Sequence, residues 1–292
     1  MCIEVDLVIK SYLEQFGIKN DVVSRITHSS AMVAAVYKID QTDSDPLILK
    51  ICQLPRHYHR ELAALKQLAH VIPVPHVKDV IPPHENLSGA ILMEYLSGTL
   101  LQDCEITESL AYELGIMLAR VHNIRGEGVE EAPLQYFSRK FEENITECAQ
   151  YLSATMIRKC RDYFNAHVDL LCTADGPCMV HGDFHRGNII VDGGTVKGII
   201  DWSSMHYGFA EEDLSLTEYA GWNMSAEVKN AFLMGYESIR PISDYRIVLP
   251  LFQLSKRLDI IVFIIRTGTW KTHHANLYHD LCKRIENSLR DF

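Results

Sequence analysis

Apolar positions along the chain follow two rhythms. Residues 3–16 carry Val5, Ile9, Leu13 and Phe16 at three- and four-residue intervals, the period of a helix with one buried face, and Gly17 is placed to stop it. Short β-branched and apolar runs follow, Val22–Ile26, Met32–Ile39 and Leu47–Ile51, broken by Thr27-His28-Ser29-Ser30 and Asp43-Ser44-Asp45-Pro46. They predict an antiparallel meander. Glu61 opens a helix with Leu62, Leu65, Leu68 and Ala69 on its apolar face, and Ala90–Leu96 reads as a buried strand running into a connector that ends at Gly98. Helical period then dominates. It is carried by Leu110, Leu114, Met117, Leu118 and Val121 in 108–123, by two amphipathic stretches over 137–152 and 155–171, and by the remainder to Phe292. Strands gathered early and helices gathered late predict an α+β fold.

One strand signal interrupts the helices. Asn188–Asp192 and Lys197–Asp201 flank Gly193-Gly194, the signature of a hairpin. With the two glycines at the turn, Asn188 lies opposite Ile199, and Asp201 falls two residues further along the same strand, so Asn188 and Asp201 share a face. Asp183 sits just ahead on a loop. Oxygen ligands gathered in this way suit Mg²⁺, which takes one or two protein carboxylates together with phosphate oxygens. Phosphoryl transfer needs this set: one Asp to take the proton of an attacking hydroxyl, a second Asp and an Asn to hold the metal on the nucleotide. His181 and His185 are also residue types of a transition-metal site, but a four-residue spacing works best on a helix, and Gly182 and Gly187 argue against one.

The run His181-Gly182-Asp183-Phe184-His185-Arg186-Gly187-Asn188, followed by Ile200-Asp201-Trp202, resembles the aminoglycoside phosphotransferase and choline kinase family, small-molecule relatives of the protein kinases. There the loop reads His-Gly-Asp-x-His-x-x-Asn and a second Asp follows in an Ile-Asp-Trp/Phe context. The resemblance implies a two-lobed protein-kinase-like fold, with an antiparallel-sheet lobe over residues 1–96 and a mainly helical lobe over 97–292. It implies ATP or GTP as co-substrate, Asp183 as catalytic base, Asn188 and Asp201 as Mg²⁺ ligands, and His181 and His185 as organisers of the loop. It makes Lys50 the strand lysine that grips the α- and β-phosphates and Glu61 the helix acid that holds it. Ser29 and Ser30 fall in the loop that covers the phosphates, where the family usually has glycine. In the hinge, the backbone near Glu94 and Leu96 meets the adenine edge, with Met93 behind the ring. Asp213, in Tyr207–Leu214, corresponds to an Asp that anchors a loop, while His122 reads as a packed core histidine.

The net charge of −10 has the wrong sign for a nucleic-acid partner, whose phosphates call for Lys and Arg. Residues 101–201 carry 16 acids against 9 bases, which leans toward a cationic acceptor. No apolar run approaches a membrane span, and Leu258–Ile265, interrupted by Asp259, reads as a buried helix. The acidic N-terminus lacks the basic region of a secretory signal. Eight scattered cysteines without a Cys-x-x-Cys pair read as reduced thiols in a cytoplasm. Trp202, Trp222 and Trp270 are either core residues or a cage for a quaternary ammonium. The expected partner is a small molecule bearing a hydroxyl: an aminoglycoside, an amino alcohol, a sugar or homoserine. A regulatory nucleotide-binding module, or nucleotidyl transfer on the same fold, are the other readings left open.

Overall fold

The computed structural model describes all residues except 1–6, 20–21, 27–33, 43, 86, 127–130, 219–221, 243 and 291–292, and the side chains of Leu7 and Val8. In chain order the elements are α1 (Leu7–Gln15), β1 (Val22–Ile26), β2 (Ala34–Asp40), β3 (Leu47–Cys52), α2 (Pro55–Leu68), β4 (Val77–Ile81), β5 (Ala90–Glu94), β6 (Thr99–Leu100) and α3 (Glu108–His122). Next come α4 (Pro133–Cys148), α5 (Ala154–His167), β7 (Cys178–Val180), β8 (Ile189–Asp192), β9 (Thr195–Ile199), β10 (His206–Gly208), α6 (Ala210–Leu216), α7 (Ala226–Glu237), α8 (Leu249–Arg266) and α9 (Ala275–Ser288). The α+β expectation holds.

Packing divides the chain into two units. One joins Met1–Val121 with His181–His206 and Ala220–Arg240; the other joins His122–Val180 with Tyr207–Tyr219 and Pro241–Phe292. The family resemblance implies a division at residue 96. The segment His181–His206 groups with the sheet, because Lys50 on β3 and Glu61 on α2 bond to the turn after β9.

The first unit is built on a five-stranded antiparallel sheet in the order β1-β2-β3-β5-β4. Alternation along the strands gives it two apolar faces. Tyr37, Ile39, Leu49 and Leu92 pack under α1 with Ile9 and Tyr12, while Ile48 and Lys50 on β3 point the other way. Over the described residues Leu7–Gln15 the helix expectation is met, with Gly17 at φ 69° just beyond its end, while Val5 lies outside the described residues. Helix α2 begins earlier than its apolar spacing suggests. Pro55 occupies the first turn, where a missing N–H costs nothing, so Glu61 sits mid-helix on the buried face with Tyr58, Ala64, Leu65 and Leu68. Strand β4 escaped the sequence pattern: Val-Lys-Asp-Val-Ile is half polar, framed by prolines, and pairs only with β5.

The glycine hairpin forms as β8–β9, joined by β6. Its register differs from the expected one. A bulge after Ile190 pairs Ile189, not Asn188, with Ile199. Asn188 therefore ends a 3-10 turn, and Asp201 lies beyond the strand in the left-handed region at φ 61° and ψ 66°. The two residues do not share a strand face.

In the second unit α8 runs through the core, with Leu258, Ile261, Val262 and Ile264 buried. Asp259, the polar residue in that apolar run, takes hydrogen bonds from Lys140 (2.6 Å) and Asn144 (2.7 Å) of α4. Helix α4 starts four residues before the expected stretch because Pro133 fits its first turn. His122 and Asp213, both fully buried, meet at 3.2 Å within the second unit. Trp202 and Trp222 are buried in the first unit, and the Lys271 ammonium lies over the ring of Trp270, so the tryptophans are core and packing residues rather than an exposed cage.

In the first unit, α3 and α7 approach through paired glycines. A methyl group at Gly115 would run into the Phe232 carbonyl, and one at Gly235 into the Tyr112 carbonyl. Gly235→Ala should therefore lower stability by about 1–3 kcal/mol despite alanine's better helix propensity. A urea midpoint unchanged from wild type would show that the helices can part at no cost.

Candidate active site

Lys50 is the centre of the polar cluster. Its Nζ donates to Glu61 Oε2 at 2.7 Å and to Asp201 Oδ1 at 2.8 Å, so one ammonium ties β3, α2 and the turn after β9 together. Lys50 and Glu61 are buried, and Glu61 also accepts from the Trp202 backbone N–H. Burial works against the Lys50 charge, but Asp201 and Glu61 outweigh it and hold the ammonium above its usual range. Burial pushes the Glu61 carboxyl up to about 7, against the pull of Lys50. At Asp201 burial also acts upward, but Lys50 and the Ser203 hydroxyl, which donates to Oδ1 at 2.7 Å, prevail and hold it at about 2. Asp183 is close enough for its charge to oppose that of Asp201.

The loop 181–188 is organised by its two histidines. The Asp183 N–H donates to His181 Nδ1 (3.2 Å), which leaves Nε2 to donate to the Ile200 carbonyl (3.1 Å). His181 thus bridges the backbone of Asp183 to the residue before Asp201. In the same way the Gly187 N–H donates to His185 Nδ1 (3.0 Å), so Nε2–H faces Asp183 Oδ2 at 3.4 Å. Asp183 and His185 remain partly exposed. Asn188 Nδ2 donates to the Asp183 carbonyl at 3.0 Å, which turns its Oδ1 outward as an acceptor. The loop presses on the turn after Asp201: at Gly182 a Cβ would lie 2.7 Å from the Ser204 carbonyl, and φ is 76°.

Beside this cluster lies a cavity of about 280 Å³. Ile26, Ala34, Val36 and Ile48 line it from the sheet, and Leu100, Ile190 and Ile200 from the hairpin side. Met93, Glu94 and Leu96 also line it, and Lys50, Glu61, Asn188 and Asp201 add a polar group joined through Lys50. A cavity with a mostly apolar lining and a cluster of charged and amide side chains suits a nucleotide. The Glu94 and Tyr95 amides are spent on the carbonyls of His76 (3.0 Å) and Pro46 (3.2 Å).

The structure thus gathers Lys50, Glu61, Asn188 and Asp201 around one cavity with Met93, Glu94 and Leu96, and links Asp183, His181 and His185 to them through hydrogen bonds. Asp213 belongs to the second unit. Ser29 and Ser30 lie outside the described residues. Two side chains escaped the sequence reading: Ser203, which orients Asp201, and Arg186, which binds only backbone. The serine follows the Ile-Asp-Trp motif directly and was open to notice; the arginine's partners are carbonyls, which leave no mark in sequence.

The fold and this site define a phosphotransferase of the kinase-like class. Residues 27–249 match the phosphotransferase enzyme family, and the chain belongs to it. It is an enzyme whose chemistry is phosphoryl transfer to a small molecule. Among curated relatives it is similar to the homoserine kinase of Neisseria meningitidis serogroup B (strain ATCC BAA-335 / MC58), 25% identical over 238 residues that cover 78% of this chain and 73% of that one. Its fold is shared with a thermostable mutant of aminoglycoside phosphotransferase APH(4)-Ia in the apo form, at TM-score 0.72, 15% identity and coverage of 97% and 98%. A complex of that enzyme with ADP and hygromycin B matches at TM-score 0.68, 15% identity and coverage of 96% and 97%. The gentamicin complex of APH(2")-IIa matches at TM-score 0.71, 15% identity and coverage of 99% and 97%.

Removing the Lys50 charge should strand two carboxylates. Lys50→Met is expected to cost about 3–5 kcal/mol near neutral pH, the scale for breaking a buried pair. Asp201 sets the sign of the acid limb. Its folded value lies below the ordinary carboxylate range, so its contribution is full above about pH 4 and fades as pH falls toward 2. The gap between wild type and Lys50→Met, measured by chemical denaturation, should narrow over that window. A gap that widened on acidification would show that Lys50 does not hold Asp201 in its charged form.

Proposed function

We propose that the chain transfers the γ-phosphoryl group of ATP to a hydroxyl of a small, amine-bearing acceptor. The observation that carries this reading is the cluster Lys50–Glu61–Asp201 at the edge of an apolar cavity, with Asp183 tied to it through His181 and Asn188. In this reading Lys50 grips the α- and β-phosphates and Glu61 keeps it extended. The backbone of Glu94–Leu96 meets the base, Met93 closes the slot behind it, and the amides around Ser29 and Ser30 cover the phosphates. Asp183 takes the proton of the acceptor hydroxyl. The freed oxygen bonds to the γ-phosphorus as the bridging P–O bond breaks and ADP leaves. His185, with Nε2–H toward Oδ2, steers the carboxylate.

The donor set fits Mg²⁺. Asn188 has its nitrogen engaged and its Oδ1 available, Asp201 is held ionised, and both are hard oxygen donors lining one cavity. Bound there, the ion would neutralise charge on the nucleotide phosphates. The protein's own share is positioning and exclusion of water.

The acceptor follows from shared chemistry. The enzymes named above act on or hold homoserine, hygromycin B or gentamicin, all of which combine hydroxyl with amine. The net charge of −10 supports a cationic acceptor. The seven described cysteines are free, as a cytoplasmic setting requires, and no helix among the described residues is long and apolar enough to cross a membrane.

An ADP-release assay with Mg·ATP and L-homoserine, hygromycin B, gentamicin or glycerol should show an amine acceptor turned over faster than the neutral polyol. Preference for glycerol would refute the acceptor class. Asp183→Ala should cut kcat at least ~10²-fold on the acceptor so found; turnover near wild type would remove Asp183 from its role. Asp201→Ala should abolish the gain in ATP affinity that Mg²⁺ brings in calorimetry, and an undiminished gain would remove Asp201 as a ligand.

A further inference from the structure

Arg186 occupies a variable position of the loop motif, yet its guanidinium makes four hydrogen bonds, all to backbone carbonyls. Nε and Nη2 donate to Leu101 O at 3.2 and 2.9 Å, Nη2 also donates to Cys104 O, and Nη1 donates to Trp222 O at 3.2 Å. These carbonyls belong to two segments far apart in sequence. One is the 3-10 turn Leu101–Asp103 and its cap, directly after β6. The other leads into α7. Among the described residues no carboxylate pairs with this arginine, so the negative ends of peptide dipoles balance its charge. The planar fork matters here, since three nitrogens set apart in one plane serve three carbonyls, whereas an ammonium would have to serve all three from a single nitrogen.

Two further contacts act in the same place. Trp222 returns a bond, Nε1 to the Phe184 carbonyl at 3.4 Å, and its ring lies 5.2 Å from that of Phe184. At Gly187 a Cβ would lie 2.8 Å from Gln102 Oε1, so the loop is seated directly on the 101–103 turn. The 3-10 turn that Arg186 opens ends at Asn188, whose amide holds the Asp183 carbonyl. The path from guanidinium to base is therefore short and made only of bonds described above.

We infer that Arg186 is a positioning residue for phosphoryl transfer: it clamps the loop bearing Asp183 and Asn188 onto the 101–104 turn and the Trp222 segment, and so sets the distance from base to nucleotide. The inference rests on the phosphotransferase reading of this site. It predicts a specific division of effects. Most of the nucleotide slot is walled by the sheet and by Met93–Leu96, and only Gly187 and Asn188 of its lining lie on the clamped loop, so metal-free nucleotide binding should largely survive loss of the clamp while turnover falls.

The test compares wild type, Arg186→Lys and Arg186→Ala. Calorimetry with AMP-PNP alone reads nucleotide affinity, and steady-state ADP release with Mg·ATP and L-homoserine, or whichever amine acceptor the wild type prefers, reads kcat and KM. Arg186→Lys should melt as a native protein, bind AMP-PNP within about 3-fold of wild type, and lose roughly 10–100-fold in kcat, the scale for supporting residues around a catalytic site. Arg186→Ala should regain part of that kcat on addition of millimolar guanidinium, and not of equimolar urea. Wild-type kcat in Arg186→Lys overturns the inference, as does a loss confined to AMP-PNP affinity. Should Arg186→Ala not fold, Arg186→Lys alone decides. Absence of phosphotransfer by wild type itself would instead count against the enzymatic reading.

Discussion

One ammonium holds the site in register. Lys50 reaches Glu61 and Asp201 from a strand, a helix and a turn that are separated by up to 151 residues of sequence. No pairwise contact could do this, because each carboxylate alone would be buried beside the other's charge. The lysine satisfies both, and in doing so brings Asp201, the proposed metal ligand, to the same wall as the group proposed to grip the phosphates. The rest of the first unit holds Glu61 Oε2 and Asp201 Oδ1 at 2.7 and 2.8 Å from Lys50 Nζ.

The surrounding backbone shows how this is arranged. Strand alternation sends Lys50 away from the α1 core and toward the cavity. Proline at the start of α2 fixes the helix phase, so that Glu61 falls on its buried stripe. A bulge in the glycine hairpin and a left-handed Asp201 then turn the last carboxylate back onto the lysine. A non-glycine residue in that conformation costs on the order of 1–3 kcal/mol, and here it is held by the Lys50 and Ser203 bonds and by Trp202 packed beneath. The two loop histidines act through fixed tautomers, each accepting from a backbone amide on Nδ1 and pointing Nε2 at its target.

Much of this was legible in sequence. The early strands, the Gly193-Gly194 hairpin, the late helices and the loop from His181 to Asn188 all stand out, because each has a local pattern: period two, period 3.6, or a dense motif. What was hidden depended on backbone. The bulge after Ile190 follows from pairing geometry, not from residue identity, and it removed Asn188 and Asp201 from the shared strand face that the simple register gave them. The polar edge strand Val77–Ile81 had too little alternation to be seen between its prolines. Arg186 looked like an ordinary loop charge, since nothing in its neighbourhood announces three carbonyl partners. The tryptophans illustrate the reverse case: their composition hinted at a ligand cage, and burial settled Trp202 and Trp222 as core.

The central claim is that this one cluster receives a nucleotide. A crystal structure with AMP-PNP and Mg²⁺ tests it most directly. The account predicts the base between Val36 and Ile200, Lys50 moved from Asp201 to the α- and β-phosphates, metal between Asn188 and Asp201, and the γ-phosphorus facing Asp183. A nucleotide bound elsewhere, or Lys50 still paired with Asp201 while the phosphates lie outside, would contradict it.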